Sequence, residues 1–393
     1  MRLPLDGIRI LDMTHMLPGP FCTMMLADMG AEVIKIENNT GGDSFRSREP
    51  RIREEGSAFH MLNRGKKSCK LNLRSPEGQK AFMALAKTAD VIIEQFRPGV
   101  VERLGVDYRS VRSINPGVVY CSLSGFGQTG PYRDMPGHDI NYLSISGILD
   151  TIGKKGEAPA LPGIQIADLG GGAQWAMSAV LFGLMARDKN EGEGQYIDLA
   201  MTDCVLPWLS LFLSDYVADG TITSRGEAKS GGAYAFYNVY ATADGRYVSL
   251  GAAEPKFWAT FCTALGHGEW IAEQMVKGER AERLIQEVAN VIKTKTQKEW
   301  TELLADRECC FTPVQNIEEA LRDPQFAARG MVSRLTHPIE GEVLNIAFPL
   351  KFSDMSPCEP KSSPLYGGDT EELLSELGYG REALDELKSK NII

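Results

Sequence analysis

The chain has 393 residues, enough for two or more domains. Its 43% hydrophobic and 24% charged residues are a globular balance, and a formal net charge of −10 argues against general nucleic-acid binding, which needs a basic face. Neither a signal peptide nor the roughly 18 apolar residues of a membrane span is legible, and eight cysteines without a C-x-x-C pair read as reduced thiols in a cytoplasmic protein.

The first third alternates strands and helices. Ile8 to Leu11 reads as a strand, and Pro18-Gly19-Pro20 opens a helix that Gly30 ends. Val33 to Ile36 is the next strand. A helix from about Pro76 precedes the strand Val91 to Ile93, and a helix near Tyr108 to Ile114 precedes the strand Val118 to Cys121. This rhythm predicts an α/β fold with a mostly parallel, Rossmann-like sheet. No G-x-G-x-x-G follows the first strand, so a dinucleotide reading loses its main support. Further on, 173–186 is helical and apolar, Tyr196 to Leu199 a strand, and 202–219 one long apolar helix. Gly220 to Gly232 reads as a linker, and Tyr234 to Leu250 alternates in strand fashion about Asp244-Gly245. Helices follow to about Leu304, and a last helix starts at Thr370.

Four blocks carry candidate chemistry. Asp12 to His15 ends the first strand, with Gly19-Pro20 beyond it. Arg64, Lys66, Lys67, Arg97 and Arg103 lie near the ends of strands, where open α/β sheets bind ligands, and suit several phosphates; a solvated basic surface is the equal alternative. Gly137 to Tyr142 places His138 beside Asp139, itself a candidate cap for a helix starting at Ile140. Asp168 precedes three glycines, which suits a helix cap, or else a carboxylate beside backbone N–H groups at Gly170 to Gly172 that stabilise an oxyanion. Met13, Met16, Leu17, Phe21, Met24 and Met25 suit an adaptable apolar site or, for most of them, a core helix face. The five histidines lack metal-ligand spacing.

The blocks Gly125-Phe126-Gly127 with Gly130-Pro131-Tyr132, Gly137 to Tyr142, Ile166 to Gly172, and Gly194-Gln195 with Asp198 resemble the CaiB/BaiF (class III) CoA-transferase family, from Leu5 to about Pro313. Within it, G-H-D-I-N-Y, the segment Gly232 to Tyr237 and Gly251 to Pro255 are most similar to the α-methylacyl-CoA racemases. Departures are Asn38, where many relatives have Arg, Leu17, where formyl-CoA-type transferases have Gln, and Ala167-Asp168-Leu169 in place of the usual racemase Asp-Phe pair. The resemblance implies a large Rossmann-like domain over 1–200 with 345–393 returning to it, a small α+β domain over 225–330, linkers at 201–224 and 331–344, and an interlaced homodimer. It implies racemisation of 2-methylacyl-CoA thioesters, with His138 and Asp168 as bases and Glu254 as a supporting carboxylate. The alternatives are a CoA-transferase with Asp168 as nucleophile, or a binding subunit without activity. The implied CoA contacts are His15, Lys66, Arg97, Arg103, Tyr132 and Gly137. Coenzyme A belongs to the substrate, and no metal or other cofactor is required.

Overall fold

The computed structural model describes residues 2–393, divided into two compact units. One holds the stretch ending at Ser146, Ile164–Pro207 and Pro324–Ile393; the other holds Gly147–Gly163 and Trp208–Asp323.

The first unit is built on a six-stranded sheet. Its strands are β1 (Arg9–Met13), β2 (Glu32–Glu37), β3 (Lys67–Lys70), β4 (Val91–Glu94), β5 (Val119–Ser124) and β6 (Gln195–Ala200). The order is β3-β2-β1-β4-β5-β6, and every pairing is parallel. Parallel strands need crossovers and are covered on both faces, so β4 reads as a nearly continuous apolar run, while β2 interleaves Val33, Ile34 and Ile36 with charged residues. On one face Leu11, Ile34, Ile92 and Tyr120 pack with Phe82 and Leu85 of the helix Pro76–Ala86 and with Leu373, Leu384 and Ile393 of the C-terminal tail. The helices Pro18–Asp28 and Trp175–Lys189 also pack against the sheet; a Cβ added at Gly183 would lie 2.5 Å from Val119. Strand order reverses between β1 and β4, the switch point beyond whose carboxyl ends ligands sit in such sheets.

β3 was not legible: Lys-Ser-Cys-Lys is too polar to read as a strand. The antiparallel hairpin of Val332–His337 with Gly341–Ile346 was not foreseen either. The predicted single helix over 202–219 is instead Met201–Val205, a 3₁₀ turn at Leu206–Leu209 and Ser210–Asp219, because Pro207 has no N–H to continue the ladder. Helix Ala167–Lys189 is, by length and composition alone, long and apolar enough to cross a membrane. Its buried Ala176, Val180, Gly183 and Leu184 belong to a helix lying against the sheet.

The second unit pairs Tyr237–Ala241, Tyr247–Gly251 and Phe311–Pro313 in an antiparallel sheet. Its core gathers Phe236, Trp258, Phe261, Trp270 and Trp300. Glu254 is the exposed N-cap residue of the helix Pro255–Leu265 there, and its side chain makes no capping bond.

Candidate active site

The loop leaving β1 rests on buried charge. Asp12 and Lys35 are neighbours in register on β1 and β2, on a sheet that leaves them no solvent. Lys35 Nζ donates to Thr14 O at 2.8 Å and pairs with Asp43 at 2.9 Å. Lys66 Nζ donates to Asp12 Oδ2, Pro20 O and Asn63 Oδ1 at 3.0, 3.0 and 2.8 Å. An ammonium has three protons, and all three are used inside the protein. Burial pushes Lys66 down to about 8 against the pull of Asp12. Lys66 therefore has no proton left for a phosphate, contrary to the sequence expectation. Arg64 is likewise bound to Asp28, and Lys67, at the amino end of β3, pairs with Glu32 and Glu372. This lattice sets the loop above it. Met16 takes a left-handed φ of 64°, and its N–H donates to Asp43. His15 is half-buried beside Phe96, ring centroids 6.2 Å apart, and burial lowers its pKa. Of the apolar residues weighed for a ligand wall, Met13, Met24 and Met25 are buried, while Met16, Leu17 and Phe21 are partly exposed.

The other cations are differently placed. Arg97 and Arg103 are exposed and make no ion pair among the described residues. A Cβ on Gly99, which has φ 84°, would lie 3.4 Å from Arg103 Nη1 and 3.8 Å from Arg133 Nη2, so two guanidinium groups flank that turn. Arg133 was not singled out from sequence; its place directly after Gly130-Pro131-Tyr132 was the available signal.

His138 is the N-cap residue of the helix Asp139–Ile145, which starts one residue earlier than expected. Its N–H donates to Asn141 Oδ1 at 3.0 Å, and its imidazole is exposed without a hydrogen-bond partner among the described residues. Tyr142, one turn on, donates from its hydroxyl to Gly137 O at 2.6 Å. Its ring needs the missing side chains of Gly125 and Gly137, where an added Cβ would come within 2.3 and 2.8 Å of it. Phe126 stacks edge-on to Tyr142 and to the exposed Tyr132. Gly137 thus serves the packing of Tyr142.

Asp139 does not cap its own helix. Its Oδ1 accepts the N–H groups of Ala167 and Asp168 at 2.6 and 2.9 Å, capping instead the π-helix Ala167–Gln174. Asp168 is therefore not the cap that sequence allowed. Leu169 N–H goes to Gln165 O, and Gly171 and Gly172 are buried, where a Cβ would lie 2.6 Å from Val205 and 2.9 Å from Pro18. Gly171 and Gly172 let helices approach one another rather than a ligand, which removes them as oxyanion donors. π-Turns of this kind often mark functional sites. The Asp168 carboxylate accepts no hydrogen bond from the described residues. Burial, and then the like charge of Asp139, push it up to about 6. Tyr142 feels the whole group: burial, then Asp168 and Asp139, push its hydroxyl up to about 12, while Arg97 pulls it down.

One carboxylate, Asp139, thus joins the start of the helix carrying His138 to the start of the helix carrying Asp168. The model of CoA-transferase family III matches residues 5–370. The chain belongs to that family. It is similar to the α-methylacyl-CoA racemase of Mus musculus, 35% identical over 99% of this chain and 97% of the relative. It is also similar to the succinate–glutarate CoA-transferase of Agrobacterium fabrum, 34% identical over 95% and 96%. Among solved structures, a CaiB/BaiF family protein from Brucella suis superposes with a TM-score of 0.84 at 29% identity, covering 96% of this chain and all of that one. Family III relatives of this kind make the chain an enzyme.

Proposed function

We propose that this family III enzyme racemises 2-methylacyl-CoA thioesters. The observation that carries the reading is the Asp139 bridge, which ties together two acid/base groups with no other partner. A thioester makes its α-hydrogen acidic because the carbonyl takes up the charge as an enolate. Inversion removes that proton on one face and returns one on the other, which calls for two bases on different elements. Asp168, titrating near 6, gives and takes protons with little cost at neutral pH. The N–H groups of Asp139 and Ile140 head their helix with no partner among the described residues, and they replace Gly171 and Gly172 as candidate donors to the enolate oxygen. Arg97 and Arg103, with Arg133, are the cations proposed to hold the phosphates of coenzyme A, which is part of the substrate. Glu254 is proposed as a supporting carboxylate. Homodimer formation belongs to the same proposal, supported by Leu211, Val217 and Ile222, each about 80% exposed.

The second reading is CoA transfer between carboxylic acids. Relatives with that activity are nearly as similar as the racemases. Asp168 would then attack the thioester and pass through a mixed anhydride to an aspartyl-CoA thioester, with no task for His138. One experiment separates them. A single 2-methylacyl-CoA in deuterated water, with no second acid, should gain deuterium at the α-carbon, and His138→Ala should stop inversion. A hydroxylamine-trappable adduct on Asp168, CoA exchange between acids, an active His138→Ala and no deuterium uptake would make the transferase reading right.

A further inference from the structure

Glu94, the last residue of β4, is a buried carboxyl group for which racemisation has no use. It is 2% exposed and stands in register with Met13 of β1 and Ser122 of β5, so it lies at the switch point itself. Its Oε2 accepts the Phe96 N–H at 2.7 Å. Ser122 hydrogen-bonds to it, and Ser122 in turn hydrogen-bonds to Tyr196 of β6. The next residue reaches the other way: Gln95 Oε1 accepts the Gly19 N–H at 3.2 Å, across to the helix that follows β1. The chain leaving β4 is therefore pinned on both sides immediately before it delivers Arg97. No cation among the described residues pairs with Glu94, which is unusual for a buried acid.

We infer that Glu94 is a positioning residue for coenzyme A: its carboxyl group sets the turn through Phe96 and so fixes where Arg97 presents its charge. This rests on Arg97 being a phosphate contact, as proposed above. The groups facing Glu94 are Glu102 on the helix Val100–Arg103, Tyr120 and Cys121 on β5 and Tyr196 on β6; Tyr108, on the helix Tyr108–Arg112, packs on both tyrosines. Of these only Glu102 carries a carboxyl group. Burial first, with Glu102 adding like charge, pushes Glu94 up to about 7. In its protonated form the group holds the turn without opposing the bound phosphates. Once ionised, it puts a negative charge at the base of the turn that carries Arg97.

The test is calorimetric titration of the full-length protein with free coenzyme A from pH 6 to 8.5, which needs no turnover. The wild type should weaken across that range by roughly fivefold more than Glu94→Gln, which cannot ionise. Glu94→Ala should bind more weakly at every pH because the turn loses its anchor. Arg97→Gln is the control for the parent reading, and should weaken binding roughly tenfold. If Arg97→Gln is weak but Glu94→Gln and the wild type share one pH profile, the Glu94 inference alone fails. If Arg97→Gln binds normally, the phosphate reading fails and this inference with it. Should Glu94→Ala not fold, the comparison of Glu94→Gln with wild type still decides.

Discussion

Asp12, Lys35, Asp43 and Lys66 are buried and consume one another's hydrogen bonds, whereas Asp168, His138, Arg97 and Arg103 keep their polar ends unpartnered among the described residues. Both sets belong to the same unit, and Asp12 and Lys66 come, like the second set, from motifs that carry chemistry in the sequence. The first builds a loop and the second is available to a ligand. A charge already spent on the protein has little left to offer a substrate, so the count of free protons and lone pairs separates the two better than residue type does.

The largest effect that would break this contrast is at Asp168. Asp168→Asn should lower turnover by on the order of 10³-fold while leaving the fold intact, because it removes a proton acceptor and no structural bond. Lys66→Met should do the reverse. It leaves Asp12 buried beside one cation fewer and should cost about 3 kcal/mol of stability, read as the urea midpoint. Whatever folded Lys66→Met survives should bind acyl-CoA with nearly unchanged KM. A stable Lys66→Met with a strongly raised KM would reverse the assignment of the two clusters.

Asp139 belongs to both sets, since it is spent on backbone and yet holds a reacting group. Asp139→Ala removes the acceptor for Ala167 and Asp168 N–H, so about 1 kcal/mol of stability should go, as for a lost helix cap. Turnover should fall roughly tenfold or more, with KM less affected, because the carboxylate of Asp168 is displaced rather than deleted. Equal loss on Asp139→Asn, which keeps an acceptor oxygen, would show that charge matters more than the cap.

Much of this was legible before the fold was known, and the failures have physical causes. Short apolar stretches in β1, β2, β4 and β5, alternating with helical patterns, announce a mostly parallel sheet, most clearly at Val91-Ile92-Ile93. The same rule hid β3, whose lysines and serine are satisfied by partners distant in sequence, such as Asp369 and Glu372. His138 and Asp168 stood out by motif. That Asp139 links them, over 28 residues of chain, is a long-range contact no local pattern encodes. Lys66 looked like a phosphate ligand for the same reason: its partner Asp12 lies 54 positions away. Gly171 and Gly172 mislead because close approach to a helix and close approach to a ligand ask for the same residue.

The smallest expected effect tests whether Asp168 is held at a cost. Its pKa is raised from 3.8 to about 6, by burial and then by Asp139, so the folded protein keeps this proton more tightly than the unfolded chain does. Between those two values the native state binds more protons, and the linkage relation makes stability fall as pH rises through that window. Above pH 6 the whole cost is present; below pH 4 it is absent. Asn carries no charge at either end. Asp168→Asn should therefore match the wild type in thermal stability near pH 4 and exceed it near pH 7.5 by about 1–2 kcal/mol, the lower part of that range reflecting partial solvent screening. Asp139→Asn, which keeps an oxygen to accept the capping N–H groups, should recover part of the same gain, since it removes the like charge. The opposite sign is expected for Lys66→Met at neutral pH. If the advantage of Asp168→Asn over the wild type is no larger at pH 7.5 than at pH 4, the carboxylate is not held against its own solvation. It would then sit in the protein as comfortably as Asp12 does, and the division between spent and available charge would not extend to this residue.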